Sequence, residues 1–205
     1  MARPRADNYE QRRQEILDTA ASMFAERGYD GTSISDIAQR CGVSKALIFH
    51  YHTSKDKLLY DMLQSHCQLL VDTANGAIKK TEPAERQLQQ LVRALMKLYM
   101  SSRDQHIVLL NNLHCLSDEE QAEIKGLEKR VLQIIKEIVS ELRPDLADPM
   151  RTSLAMYLMG AINWTYTWFK TSGPYTPGQF ADVATGMFLN GIKNDTSLVE
   201  TAQVS

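Results

Sequence analysis

Apolar residues recur along this chain at helical spacing, and no stretch alternates at the two-residue period of a half-buried strand. Ile16, Ala20 and Phe24, flanked by Leu17 and Ala21, repeat every four positions, and Gly28 follows as a helix stop. Ser33 with Asp36 three residues later makes a capping-box start, Ile34, Ile37 and Ala38 supply a buried face, and Gly42 ends this short second helix. Ser44 opens a third helix as its N-cap, running from Lys45 to Tyr51 until His52-Thr53-Ser54 breaks the pattern and caps a longer helix from Lys55 to about Lys80. Two short helices separated only by Cys41-Gly42-Val43 form a helix-turn-helix.

The pattern stays helical beyond Lys80. Pro83 suits a first turn, and Leu88, Leu91, Val92, Leu95, Met96 and Tyr99 keep the 3.6-residue period. A helix from about Gln105 to Cys115 follows, and Ser117 with Glu120 opens a long charged helix that runs to about Leu142 and stops near Pro144. Helices over residues 148–170 and 177–193 complete the series. In the first of these, Leu154, Tyr157, Leu158, Ile162, Trp164, Trp168 and Phe169 leave too little polar surface for one face to meet water. A helix that must bury two faces in a chain of this size predicts a subunit interface, so a homodimer is expected through 148–170 and 177–193. The fold class is therefore all-α. Residues 1–57 form a three-helix unit carrying the helix-turn-helix, 58–195 a larger helical ligand-binding and dimerisation domain, and 196–205 a tail without period, expected to be disordered.

Composition narrows the setting but not the function. Apolar residues make up 43% of the 205 positions, enough for a packed core. Charge rather than an apolar run follows Met1-Ala-Arg-Pro-Arg5, and no stretch reaches the length of a membrane span, so no membrane association and a cytoplasmic location are expected. Cys41, Cys67 and Cys115 are scattered without CxxC spacing, which predicts neither a disulfide framework nor a structural zinc site. The net charge is −2, and residues 1–57 hold nine Lys/Arg against eight Asp/Glu. Charge alone does not reveal a nucleic-acid partner; placement must.

Placement does. The run from Thr32-Ser33-Ile34 through Gly42-Val43-Ser44-Lys45-Ala46-Leu47-Ile48-Phe49-His50-Tyr51 to Ser54-Lys55, with Phe24 in the first helix and the Gly28-Tyr29 corner, closely resembles the DNA-binding domain of the TetR family of transcriptional regulators. Independently of that likeness, a helix lying in the major groove needs short or polar residues at its start and flanking donors to phosphate, and Ser44, Lys45, Ala46, Leu47 and Phe49 sit at this one's start. The resemblance implies that Lys45 and Tyr51 touch phosphate, that Thr32 and Ser33 donate at the start of the second helix, and that Lys55 holds backbone at the head of the fourth. It also makes Ala46, Leu47 and His50 the base readers. Three positions depart from the commonest family pattern: Leu47 for threonine, Phe49 for tyrosine and His52 for phenylalanine. Leu47 then implies apolar contact with a thymine methyl, and Phe49 has no hydroxyl for phosphate.

No catalytic or metal-binding constellation emerges, so no enzyme activity and no cofactor are expected. His50 and His52 point to different sides of a helix, and His66 supplies no second ligand pair at i, i+4. Cys115 beside His114, with His106 eight positions earlier, lacks an orienting third group on the same helix.

The C-terminal half is similar to a narrower group in the family, regulators of aromatic and fatty-acid catabolism that include the phenylacetate-degradation repressor. The likeness rests on Val108–Leu113, Leu116–Gln121, Met159–Lys170 and Gly173-Pro174. It implies an acyl-CoA thioester such as phenylacetyl-CoA as effector. Asn111 and His114 on one helical face, and Asn163, Trp164, Thr167 and Trp168 interleaving polar and aromatic groups, are the expected ligand contacts, with Arg103, and also Arg93, Arg130 and Lys170, as cations for a CoA tail. The expectation is thus a ligand-responsive repressor that binds a pseudo-palindromic operator as a dimer and leaves it when effector binds. The alternatives are a helical acyl-CoA-handling enzyme with a DNA-binding head, and the same repressor answering to a drug-like hydrophobic molecule.

Overall fold

A computed structural model describes residues 3–194, and among them there are helices and no strand. The expected tail at 196–205 lies outside the described residues. The chain divides into two compact units, one made of residues up to Cys67 together with Ser102–Lys125, the other of Gln68–Ser101 with Gly126 onward.

In the first unit, α1 (Arg3–Arg27) buries Ile16, Leu17, Ala20, Ala21, Met23 and Phe24 along one stripe. Gly28, at φ +77, turns the chain out of that helix, and its N–H still bonds the Phe24 carbonyl at 2.9 Å. The helices α2 (Ile34–Cys41) and α3 (Lys45–Tyr51) follow, and then α4 (Lys55–Ala77) begins. Packed along α1 is α6 (Arg103–Asn112), with the Gln105 amide donating to Asp18 at 3.0 Å, and a single 3₁₀ turn (Leu113–Cys115) leads on to α7 (Asp118–Leu142). Residues 102–125, which the sequence pattern groups with the larger domain, therefore belong to the same compact unit as the helix-turn-helix, with α6 against α1.

In the second unit, α5 (Ala84–Ser101) and α10 (Pro177–Asn194) form the most extensive helix pairing, with α8 (Asp148–Asn163) against both. Leu88, Leu91, Val92, Leu95, Met96 and Tyr99 are all buried, as their spacing predicts. The single helix expected over 148–170 is broken. α8 stops at Asn163, and a four-residue helix, α9 (Thr165–Trp168), follows. The buried Thr165 hydroxyl donates to the Ile162 carbonyl at 2.6 Å across the interruption, where Trp164 keeps helical dihedrals at φ −62, ψ −13. α8 turns Ala155, Leu158 and Ile162 inward and leaves Met156 and Tyr157 in solvent, the latter 68% exposed. On α10, Met187 is 72% exposed.

Candidate nucleic-acid interface

The helix-turn-helix is built by caps more than by its core. Ser33 starts α2, its Oγ accepting from the Asp36 N–H at 3.2 Å while the Asp36 carboxylate accepts from the Ser33 N–H at 3.0 Å. That exchange holds the Asp36 carboxyl below its ordinary range, through the Ser33 hydroxyl first. Gly42 closes α2 in the left-handed region at φ 66, letting its own N–H reach Gln39 and the Val43 N–H reach Ala38. One residue later the Ser44 hydroxyl accepts from the Leu47 N–H at 3.1 Å and starts α3. Of the seven residues of α3, only Ile48 is fully buried. Lys45, Ala46, Phe49 and His50 face solvent, and Leu47 and Tyr51 are half-buried.

Of the residues expected to face DNA, Ser33, Ser44, Lys45, Ala46, Phe49 and His50 are exposed, Leu47, Tyr51 and Lys55 are half-buried, and Thr32 is not exposed at all. Thr32 is buried and shares its hydroxyl proton between the carbonyls of Gly28, at 2.9 Å, and Met23, at 3.2 Å. Expected as a donor at the head of α2, it instead ties the α1–α2 corner, and its own N–H is taken by the Tyr29 carbonyl. Lys45 extends its ammonium 5.7 Å from the Phe49 ring centroid, so a cation and an apolar ring share one exposed patch. Lys55 lies 3.9 Å over the Tyr29 ring, and the Tyr29 hydroxyl donates to Asp56; burial and that carboxylate push the phenol pKa up.

Two contacts were not foreseen. Tyr9 lays its ring 4.6 Å from that of Tyr51 and meets His50 edge-on. It stands seven residues before Ile16, on the α1 stripe, so the periodicity contained the signal. His52 ends α3 and sends its ring inward: Nδ1 donates to Asp61 on α4 at 2.7 Å, and Lys57 holds the other carboxylate oxygen at 3.0 Å. Burial raises the Asp61 pKa, but His52 and Lys57 more than offset it and the carboxyl titrates below its usual range. No periodicity pairs two residues across a helix break.

Residues 81–192 match the family described as tetracyclin repressor-like, C-terminal domain, and residues 16–62 match the bacterial regulatory proteins of the tetR family. The chain belongs to the TetR family. A TetR-family transcriptional regulator from Bordetella parapertussis superposes with a TM-score of 0.83 at 33% identity, over 89% of this chain and 96% of that one. The HTH-type transcriptional repressor KstR2 of Mycolicibacterium smegmatis is 28% identical over 196 residues, 88% of this chain and 90% of its own. AibR, solved in complex with isovaleryl coenzyme A and operator DNA, has a TM-score of 0.76 at 28% identity, covering 86% of this chain and 97% of its own. Members of the TetR family bind operator DNA as dimers and respond to small molecules, and the relatives this chain matches are transcriptional regulators. None of its helices, among the described residues, is long and apolar enough to cross a membrane.

The residues expected at a ligand divide between the two units of this TetR-family chain. Arg103, Asn111 and His114 belong to the first and are exposed; the Asn111 amide donates to the Ile107 carbonyl of its own helix at 2.8 Å, and His114 lies 3.5 Å from the Cys115 sulfur. Asn163, Trp164, Thr167 and Trp168 belong to the second. Asn163 buries its Oδ1 without a hydrogen-bond partner, Trp164 is 63% exposed, and Thr167 bonds the Trp164 carbonyl. Trp168 lines an open groove of about 260 Å³ with Phe169, Lys170, Gly173, Pro174 and Tyr175. Of the other expected cations, Arg93 is committed to Asp182 on α10, while Arg130 and Lys170 are exposed.

Proposed function

We propose that this TetR-type repressor holds a pseudo-palindromic operator as a homodimer and lets go when an acyl-CoA thioester binds its larger unit. The observation that carries the DNA half is the outward face of α3, where Lys45, Ala46, Phe49 and His50 are exposed on a helix capped at both ends. Two such helices in successive major grooves would stand roughly 34–36 Å apart. The exposed Met156 and Tyr157 of α8 and Val183 and Met187 of α10 support those helices as the dimer surface, since large apolar side chains left in solvent on two paired helices suit a partner.

The effector reading is supported by the likeness to AibR, which was solved with isovaleryl coenzyme A, and by the sequence resemblance to regulators of aromatic and fatty-acid catabolism, with phenylacetyl-CoA as the first compound to try. An effector shifts DNA occupancy only by its differential affinity for the bound and released conformers. Helix α4 is the candidate lever because it is continuous from Lys55 beside the recognition helix to Ala77.

The test is fluorescence anisotropy of a labelled duplex taken from the DNA upstream of the protein's own gene. Phenylacetyl-CoA, isovaleryl-CoA, a long-chain acyl-CoA, free CoA and the free acids are titrated in turn. At least one thioester should release the DNA, and free CoA and the acids should not. If no thioester acts, the effector assignment fails while the repressor reading stands.

A further inference from the structure

Recognition helix α3 is seated mainly by apolar contacts. Ile48 is its only fully buried side chain, Leu47 and Tyr51 are half-buried, and the Tyr51 ring meets that of Tyr9 on α1 at 4.6 Å; apolar contacts of this kind set how deep a seven-residue helix sits but are not directional. Direct readout demands more, because hydrogen bonds to base edges tolerate only a few tenths of an ångström and weaken steeply with angle. In this chain, where His52 stands at a position commonly phenylalanine in the family, a directional contact is available to supply the rest.

His52 is placed to do so. Its backbone belongs to α3, since its N–H bonds the Ile48 carbonyl at 2.8 Å and caps the helix. Its side chain belongs to α4: the ring is wholly buried, and Nδ1 meets Asp61 Oδ2 at 2.7 Å. Asp61 is itself steadied by Lys57. The other ring nitrogen, Nε2, is buried without a hydrogen-bond partner, so the Asp61 contact is the ring's single polar tether. The remaining ties of this stretch of α4 lead elsewhere, Asp56 to Tyr29 at the α1 corner and Tyr60 to Glu123 on α7.

We infer that His52 and Asp61 form the joint that sets the angle of α3 on α4, and that discrimination between operator and other DNA depends on this bond. His52 is a positioning residue that touches no base. The inference rests on α3 being the DNA-reading helix. A packing role and a joint role make opposite forecasts for two substitutions. His52→Phe keeps the ring volume and removes the bond. His52→Asn gives up volume but puts an amide N–H where Nδ1 stood.

The experiment uses the full-length protein and measures affinity for its operator and for a scrambled duplex at one salt concentration, alongside thermal melting. His52→Phe should lower operator affinity about tenfold, the effect of losing one hydrogen bond to a charged group, with scrambled-duplex binding within about twofold. His52→Asn should melt lower than His52→Phe yet discriminate better. Asp61→Leu, the second route if His52→Phe folds poorly, should reproduce the loss, and adding His52→Phe to it should cost no more. Discrimination by His52→Phe at the wild-type level, or His52→Asn losing as much as His52→Phe, overturns the inference. Failure of the wild-type protein to bind any upstream duplex is a separate result, which overturns the DNA-reading role itself.

Discussion

Acidification from about pH 7.5 to about pH 5 should strain one buried contact above all others. His66 on α4 and His106 on α6 face each other inside the first unit, Nε2 to Nδ1 at 3.4 Å, both almost wholly buried, and His66 Nδ1 has no hydrogen-bond partner. Burial lowers the His66 pKa to about 4, and burial together with the charge His66 would carry lowers that of His106 to about 3. A free histidine titrates near 6.5, so between that value and the folded ones the unfolded chain binds more protons than the native state. The stability these neutral rings support is intact above about pH 6.5 and is lost progressively as the pH falls toward their folded pKa values. At about pH 5, each ring that stays neutral in the fold forgoes about 2 kcal/mol of protonation available to the unfolded chain, or about 4 kcal/mol for the pair. Against a typical total of about 5–15 kcal/mol, that is a large fraction. Urea unfolding followed by circular dichroism, at one protein concentration and both pH values, isolates the effect when wild type is compared with the His66→Phe/His106→Leu double variant. The wild type should lose about 4 kcal/mol more than the variant between the two conditions. Equal losses in both proteins would refute the reasoning, since the acid sensitivity would then belong to other groups.

Three substitutions in the head separate DNA contact from folding. Lys45→Ala should weaken binding to every sequence and flatten the salt dependence by about one unit for each phosphate left without its lysine in each subunit, as log–log plots of affinity against salt will read. Thr32→Val should leave that slope unchanged and lower urea stability by about 1–2 kcal/mol, because the hydroxyl it removes is bonded inside the α1–α2 corner. Ile48→Ala should cost about 2–5 kcal/mol in the same unfolding assay, as the truncation empties the only fully buried site of α3.

The head was largely written in local chemistry, and local chemistry is what a sequence displays. Ser33 with Asp36, Gly42, and Ser44 each act within three or four residues, and α2 begins and ends, and α3 begins, where those residues say. Effects requiring packing were hidden. His66 and His106 are forty positions apart and Tyr60 and Glu123 sixty-three, and only the arrangement of three helices brings them together. The break at Trp164 was hidden for another reason: the residues on either side continue the apolar pattern, so periodicity does not mark where the helical hydrogen bonding is interrupted. A helical wheel puts Asn111 and His114 on one face but cannot show that the Asn111 amide donates to the Ile107 carbonyl of its own helix.

Because Lys45, Ala46, Phe49 and His50 all lie on the exposed face of α3, away from buried Ile48, the fold places little demand on what stands there. Substitutions at such exposed positions usually change stability by less than about 0.5 kcal/mol, so selection for folding hardly restrains them. Evolution is then free to rewrite which DNA the helix reads without first finding a compensating change elsewhere. Duplicated copies of this gene would be expected to part company in operator sequence long before they diverge in architecture.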